Sequence, residues 1–247
     1  MSTRIGGDPL ILPPGNFNYL KLTRINSGQI SIGVGECRDS TDSVNVINPS
    51  PLTVDISTSG AGGLDTGSEA ANTLYTCYII SGSSGVAGIL STNQTTPTLP
   101  AGYQYFRRVG AVRNNSSSNI LNFTQEGNAN NRRMVYLTNE TTLRVLTNGS
   151  ATSYTAVSLS AFMPVTSTAP ILAFNYEADD KNDFATLRPT GSSLTDLGFK
   201  IHLQGDKNRE GYGVIEPITN AAQSLDYQVE DNDDELDLSV IGYHDNL

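Results

Sequence analysis

The chain contains no tryptophan, two histidines, two cysteines and no long apolar run. Each shortage removes a class of function. No window approaches the roughly 20 apolar residues of a helical membrane span, so no membrane insertion is expected. A Ser–His–Asp triad needs a histidine as base. His202 lies mid-strand in FKIHLQ and His244 close to the end, and neither neighbours a Gly-x-Ser-x-Gly elbow. Zinc takes a His/Cys set at metal spacing, and two of each, far apart, do not offer one. Cys37 and Cys77 could form one disulfide, but the count makes no secreted framework. Cys77 sits in the apolar run LYTCYII (74–80), where a buried free thiol is expected. The missing tryptophan counts against a sugar-stacking cleft, although 11 tyrosines could substitute.

Charge is scarce as well. Charged residues make up 16% of the chain, against about 25% in an average soluble domain. Hydrophobic residues reach only 37%. Ser, Thr, Asn and Gly fill the difference. Ser, Thr and Asn bond back to the main chain and compete with helix, which suits short strands joined by turns. The net charge of −10 argues against nucleic acid as a partner and against an anionic membrane surface. It also keeps a protein soluble at high copy number. The N-terminus, MSTRIGGDPLILPPGN, has a charge but no apolar core of signal-peptide length. The product is expected to stay in the compartment where it is made until assembly or lysis. At 247 residues it can bury a core without cross-links.

What is present is a long series of short alternating runs. The landmark is LPAGYQYFRRVGAVR (99–113). Pro100 and Gly102 set a turn, Tyr105 to Val112 favour a strand, and Gly110 predicts a bend or bulge inside it. YLKLTRI and QISIGVG flank Asn26-Ser27-Gly28 as a hairpin, with Ile30, Ile32 and Val34 on one face. ECRDSTDS (36–43) reads as turn, and VNVI (44–47) and LTVDIS (52–57) as strands. The glycine-rich STSGAGGLDTG (57–67) lacks the lysine of a P-loop and leads into a strand, so it reads as a tight turn. LYTCYII takes GVAGILST (85–92) as its hairpin partner. After residue 131, RRMVYLTN, TLRVLTNG and YTAVSLSAFMP follow at hairpin spacing. PILAFNYEA, the turn DDKND (179–183), FATLRPTG, GFKIHLQGD and GYGVIEPIT continue the series. SLDYQVE and ELDLSVIGY close it, flanking an acidic turn, DNDD. No helix-length stretch of period 3.6 occurs. The chain is therefore expected to be all-β. It divides into an extended N-terminal arm (1–18), an N-terminal β region (19–130) and a jelly-roll-like antiparallel sandwich (131–247).

Three sets of residues stand out. Leu10, Ile11 and Leu12 lie between prolines that exclude a helix, so they predict an anchor that docks in a groove or on a neighbouring chain. The last strand carries Leu236, Leu238 and Val240 on one face and Ile241 on the other. A strand with one solvated face should not do that, so a subunit interface is expected over the second face. Asp231, Asp233 and Glu235 alternate and have the hard oxygens that suit calcium. The sixth-position glycine of an EF-hand is missing, and a solvated acidic hairpin is the favoured reading. The adjacent pairs Arg107–Arg108 and Arg132–Arg133 point to opposite faces of their strands. No catalytic residue and no cofactor is expected.

CRDSTDSVNV (37–46), PLTVDISTSGAGGLDTGSEAANTLYTCYII (51–80), GILSTNQTTPTLPAGYQYFRRVGAVRN (88–114) and LTNGSATSYTAVSLSAFMP (146–164) together resemble a family of tailed-bacteriophage virion proteins. That family includes tail-fibre-like and other particle-surface components of β-structure. The resemblance covers roughly residues 20–165. It implies a structural protein made in the host cytoplasm and carried on the virion exterior. It also implies other virion proteins as partners, a homotrimer, and contact with a host-surface glycan or receptor. A tail-fibre or baseplate attachment component leads. A capsid decoration protein or head fibre, and a virion-associated glycan depolymerase, are the alternatives. The motifs are turns and core strands, so they bring no catalytic residues with them.

Overall fold

The computed structural model describes residues 11–128, 130–178, 183–194, 199–202 and 209–247. Among the described residues the chain forms nineteen strands, and the only helical segment is a short 3-10 turn, Glu140–Leu143. Asn139 caps that turn by accepting from Thr141 N at 2.9 Å. The chain forms two compact units. One comprises Met1–Ile120, Gln125–Arg132 and Leu247, the other Leu121–Thr124 and Arg133–Asn246.

The first unit holds β1 (Phe17–Tyr19), β2 (Leu22–Arg24), β3 (Gln29–Ile32), β4 (Gly35–Arg38), β5 (Asn45–Asn48), β6 (Leu52–Asp55), β7 (Leu74–Gly82), β8 (Gly85–Ser91) and β9 (Tyr105–Arg113). They make three antiparallel sheets of three strands, ordered β1-β4-β5, β2-β3-β6 and β8-β7-β9. β7 is apolar on both alternating sets because both of its faces are covered. Cys77, Tyr78, Ile79 and Ile80 are all fully buried. Tyr78, Ile80 and Ile89 form a cluster packed by Leu99, Tyr103 and Phe106. The Tyr78 and Phe106 rings meet edge to face at 5.7 Å, a favoured geometry for ring quadrupoles.

The landmark stretch holds the bulge its glycine predicts. Cys77 pairs with Gly110 and Tyr78 with Arg108, which leaves Val109 as the extra residue of β9. Gly110 has φ +146°, and a Cβ there would lie 2.7 Å from Leu22 Cδ1 and 2.9 Å from Gln125 Nε2. The Asn26-Ser27-Gly28 hairpin also forms, closed by Ile25 N to Gln29 O at 2.9 Å and by Gly28 N to Asn26 Oδ1 at 2.9 Å. Its strand stops at Ile32, so Val34 does not share the buried face of Ile30 and Ile32 but is half-exposed. ECRDSTDS is not all turn. Gly35–Arg38 is β4, and the turn begins at Asp39, whose carboxylate accepts from Ser43 N at 2.6 Å and Val44 N at 2.7 Å.

The N-terminal arm needs correction. Pro13 O accepts from Asn16 N at 3.1 Å, turning the chain back on its own unit. Leu12 N then donates to Asn45 Oδ1 at 3.1 Å, and Gly15 N to Asp42 Oδ1 at 2.7 Å. Leu12 is buried, and the expected arm boundary at residue 18 cuts through β1. Leu10 lies outside the described residues, as does the core of the DDKND turn.

The remaining strands are β10 (Phe123–Asn128), β11 (Asn131–Tyr136), β12 (Arg144–Gly149), β13 (Thr155–Ser158), β14 (Ala169–Ala178), β15 (Phe184–Pro189), β16 (Phe199–His202), β17 (Arg209–Ile215), β18 (Ser224–Val229) and β19 (Glu235–Asn246). The unit boundaries fall within β10 and β11. One sheet has six strands, ordered β10-β11-β19-β14-β17 with β12 also pairing β19. The other has four, ordered β13-β18-β15-β16. From β12 onward the chain changes sheet at almost every step. β12 and β13 part company, and so do β18 and β19, so runs at hairpin spacing are not hairpins. From β12 on, among the described residues, only β15 and β16 pair as sequence neighbours.

Candidate functional site

β19 sorts its side chains by parity, as a strand must. Leu236, Leu238 and Val240 are fully buried, with Leu172 and Tyr176 of β14. The other parity faces outward and forms cross-strand rows. Asp237 stands opposite Asn175, and Asn175 opposite Tyr212. The next row is Ser239, Ala173 and Val214, with Arg144 of β12 opposite Ser239. At the end of these rows β14 and β19 slip register. Ile171 pairs with Gly242 and Leu172 with Val240, so Ile241 is a bulged residue turned to the outer face.

These rows floor a groove of about 550 Å³, with Ile241, Thr138 and Glu140 on its walls. The Arg144 guanidinium pairs with Asp237 Oδ2, and Asp237 Oδ1 accepts from Asn148 N at 2.9 Å. Both carboxylate oxygens are therefore engaged, and the ion pair is largely covered, at 25% and 15% side-chain exposure. Such a carboxylate is an anchored acceptor rather than a free base. At the opposite edge Tyr212 is 69% exposed, and its hydroxyl donates to Glu210 two residues away on the same face of β17. Two polar atoms of the floor, Arg144 Nε and Asn175 Oδ1, are buried without a partner. An arrangement of one exposed ring, one fixed ion pair and unused donors and acceptors can bind and orient a small polar molecule.

The expected site residues fare differently. Leu236, Leu238 and Val240 belong to the core of this unit, so they cannot form a subunit interface. Ile241 alone of that set reaches the outer face, in the groove. Asp231, Asp233 and Glu235 do not converge. Asp231 Oδ1 accepts from Asp233 N at 3.1 Å, while Glu235 stands on β19 opposite Glu177. Among the described residues no three His, Cys, Asp or Glu side chains are placed to share a metal ion. The DNDD stretch is a turn between two sheets, not a hairpin. Leu12 is buried in its own unit and Ile11 is 73% exposed, so Leu12 is not available to an outside groove, and Leu10 lies outside the described residues. His244 Nε2 lies 3.1 Å from Glu216 Oε2, with Arg133 near the same carboxylate. Cys37 and Cys77 form no disulfide, and both are buried.

Two features had no reading in the sequence. Asp234 is fully buried and accepts the Tyr176 hydroxyl at 2.7 Å. Burial, with this carboxylate close by, pushes the Tyr176 hydroxyl pKa far above its usual value. The signal was present, since Asp234 shares the parity of Leu236 and Leu238. The cluster of Arg144, Asp237, Asn175 and Tyr212 gave no such signal beyond the outward parity of Asp237, because it draws on four strands distant in sequence. A scan against protein-family models and a search of curated proteins both return no match.

Proposed function

We propose that this chain is a non-enzymatic structural protein on the exterior of a tailed-phage particle, of the tail-fibre or baseplate attachment type, that contacts the host surface through its second unit. The observation that carries the reading is the strand order of that unit. β12-β19-β14-β17 and β13-β18-β15-β16 is the order we read as an eight-stranded jelly roll, two Greek keys in two sheets. That architecture recurs in viral capsid and lectin domains. The argument is one of fold analogy, joined to the virion-protein resemblance of residues 20–165. What supports binding in the groove is that its Asp237 is held by both oxygens. A threefold assembly belongs to the proposal and would use surfaces other than Leu236, Leu238 and Val240.

Quantitative mass spectrometry and antibody labelling of purified particles test it. The expected result is a few copies per particle and label at the tail. Hundreds of copies on the head would replace the attachment reading with capsid decoration. Absence from particles would overturn both. Light scattering of the purified chain reads the trimer, and release of reducing ends from a capsular polysaccharide would establish the depolymerase alternative.

A further inference from the structure

The geometry points to a binding site for a neutral saccharide in the groove over β12, β19, β14 and β17, with the Tyr212 ring as its platform. The inference rests on the host-contact reading above and assigns that contact to named residues. Four observations carry it.

The first is shape. A concavity of about 550 Å³ falls within the ~300–1,000 Å³ span of small-ligand sites, whereas a protein partner usually needs a flat patch of several hundred Å² per side.

The second is the ring. Tyr212 is 69% exposed on an edge strand. Its hydroxyl donates to Glu210 on the same strand face. A tyrosine ring offers a rigid contact area at low cost in conformational freedom. Its apolar face suits the C–H face of a pyranose, and its polar edge remains outside the contact.

The third is unused hydrogen-bonding capacity beside the ring. Asn175 stands directly across from Tyr212, and Asp237 directly across from Asn175. Adjacent cross-strand residues lie about 5 Å apart, so the polar groups of the row stand within reach of a ligand seated on the ring. Asn175 Oδ1 is an acceptor and Arg144 Nε a donor, and neither has a partner. Buried polar atoms without partners are uncommon and call for an explanation. A sugar hydroxyl can donate to Asn175 Oδ1 once that amide turns toward the groove, while Arg144 stays in its ion pair with Asp237.

The fourth is charge. Arg144, the one cation lining the groove among the described residues, is neutralised by Asp237. Glu140 lines the wall and Glu210 holds the Tyr212 hydroxyl, leaving the site negative in a chain of net charge −10. Polyanions, whether nucleic acid, anionic lipid or acidic polysaccharide, are repelled. A neutral polyol is not.

The test is saturation-transfer NMR of the full chain with glucose, galactose, rhamnose and N-acetylglucosamine, followed by an array of defined neutral and anionic oligosaccharides. The expected result is binding to at least one neutral saccharide, with the ligand's ring protons saturated and little dependence on salt between 50 and 500 mM, as expected roughly for an uncharged ligand. Tyr212→Ala should weaken it about tenfold or more, whereas Tyr212→Phe should weaken it less than about threefold because the ring face is kept. Asn175→Ala gives a second loss at a site away from the edge strand. Binding to none of the saccharides, binding only to anionic ones, or binding unchanged by Tyr212→Ala would overturn the assignment. Particle labelling separates this failure from failure of the wider proposal. A chain present on particles but without saccharide binding loses only the groove assignment, whereas a chain absent from particles loses the virion reading whatever it binds.

Discussion

Replacing Gly110 with alanine should be among the most damaging small changes in the first unit. The residue sits at φ +146° in the β9 bulge, where L side chains are rare. Backbone strain of this kind costs about 1–3 kcal/mol. The added methyl would also approach Leu22 Cδ1 to 2.7 Å and Gln125 Nε2 to 2.9 Å. Leu22 is buried and cannot yield freely, and overpacking adds about 1–3 kcal/mol. Displacing Gln125 would reach further. Its Oε1 accepts from Leu22 N at 2.8 Å and from Arg132 Nη1 at 2.8 Å. Arg132 is 1% exposed, bonded to Tyr19 O and stacked 4.9 Å from the Phe17 ring. A buried guanidinium that loses an acceptor is expensive, at about 1.5–3 kcal/mol for a charged hydrogen bond. If part of each effect is relieved by relaxation, the loss is about 3–5 kcal/mol, or a fall in Tm on the order of 10 °C for a chain of this length. Gly85→Ala is the control. It has φ +98° but open space around its Cβ position, so it should show only the strain. Differential scanning calorimetry of both variants decides the matter. A Gly110→Ala transition no lower than that of Gly85→Ala would refute the argument that contacts with Leu22 and Gln125 make this glycine necessary.

Three further outcomes are expected. Leu12→Ala should lower stability by about 2 kcal/mol, the low end for a buried leucine. Ile11→Ala, at a side chain 73% exposed, should stay within about 0.5 kcal/mol, and equal urea midpoints for the two would show that Leu12 is not docked. Neither thiol should react with a disulfide reagent at pH 8 in the native chain. Both are buried, and burial pushes the Cys37 thiol up to about 12, so rapid native labelling of either would contradict the structure. Burial acts to raise the Asp39 pKa, but the Thr41 hydroxyl and the backbone N–H groups of Val44, Thr41 and Ser43 outweigh it and hold the carboxyl below its usual 3.8. Because the folded pKa is depressed, its contribution is complete well above pH 3.8 and is lost as pH falls through the folded value. The stability gap between wild type and Asp39→Asn should therefore shrink as pH drops from 6 to 2, and a gap independent of pH would assign Asp39 no ionic role.

Much of the local structure could be read directly. LYTCYII, apolar on both parities, had to be covered on both faces, and β7 is. Gly110 inside an aromatic and β-branched run marked the bulge. Asn26-Ser27-Gly28 between alternating runs marked a hairpin. Each of these depends on residues within about ten positions of one another, where backbone sterics and side-chain parity are sufficient. The reading of residues 36–43 went astray because a polar strand such as Gly35–Arg38 carries no apolar alternation of its own. Its place is set by pairing with β1 and β5.

Parity states that a strand has two faces, but not what lies across from either. ELDLSVIGY could equally have met a second subunit or its own fold, and only the assembled sheets put Leu236, Leu238 and Val240 inside the protomer. The same limit hid the groove. Arg144, Asp237, Asn175 and Tyr212 are brought together by strand pairings although Arg144 and Asp237 lie 93 residues apart in sequence. Those pairings are selected by the burial of the whole unit and by loop closure, whose cost grows only slowly with length. Sequence alone thus determined that this protein is a stack of short strands with glycine turns at specified places. Which strand lies beside which, and so which outward side chains share a surface, was decided by the tertiary structure, because that choice depends on covering every apolar face at once.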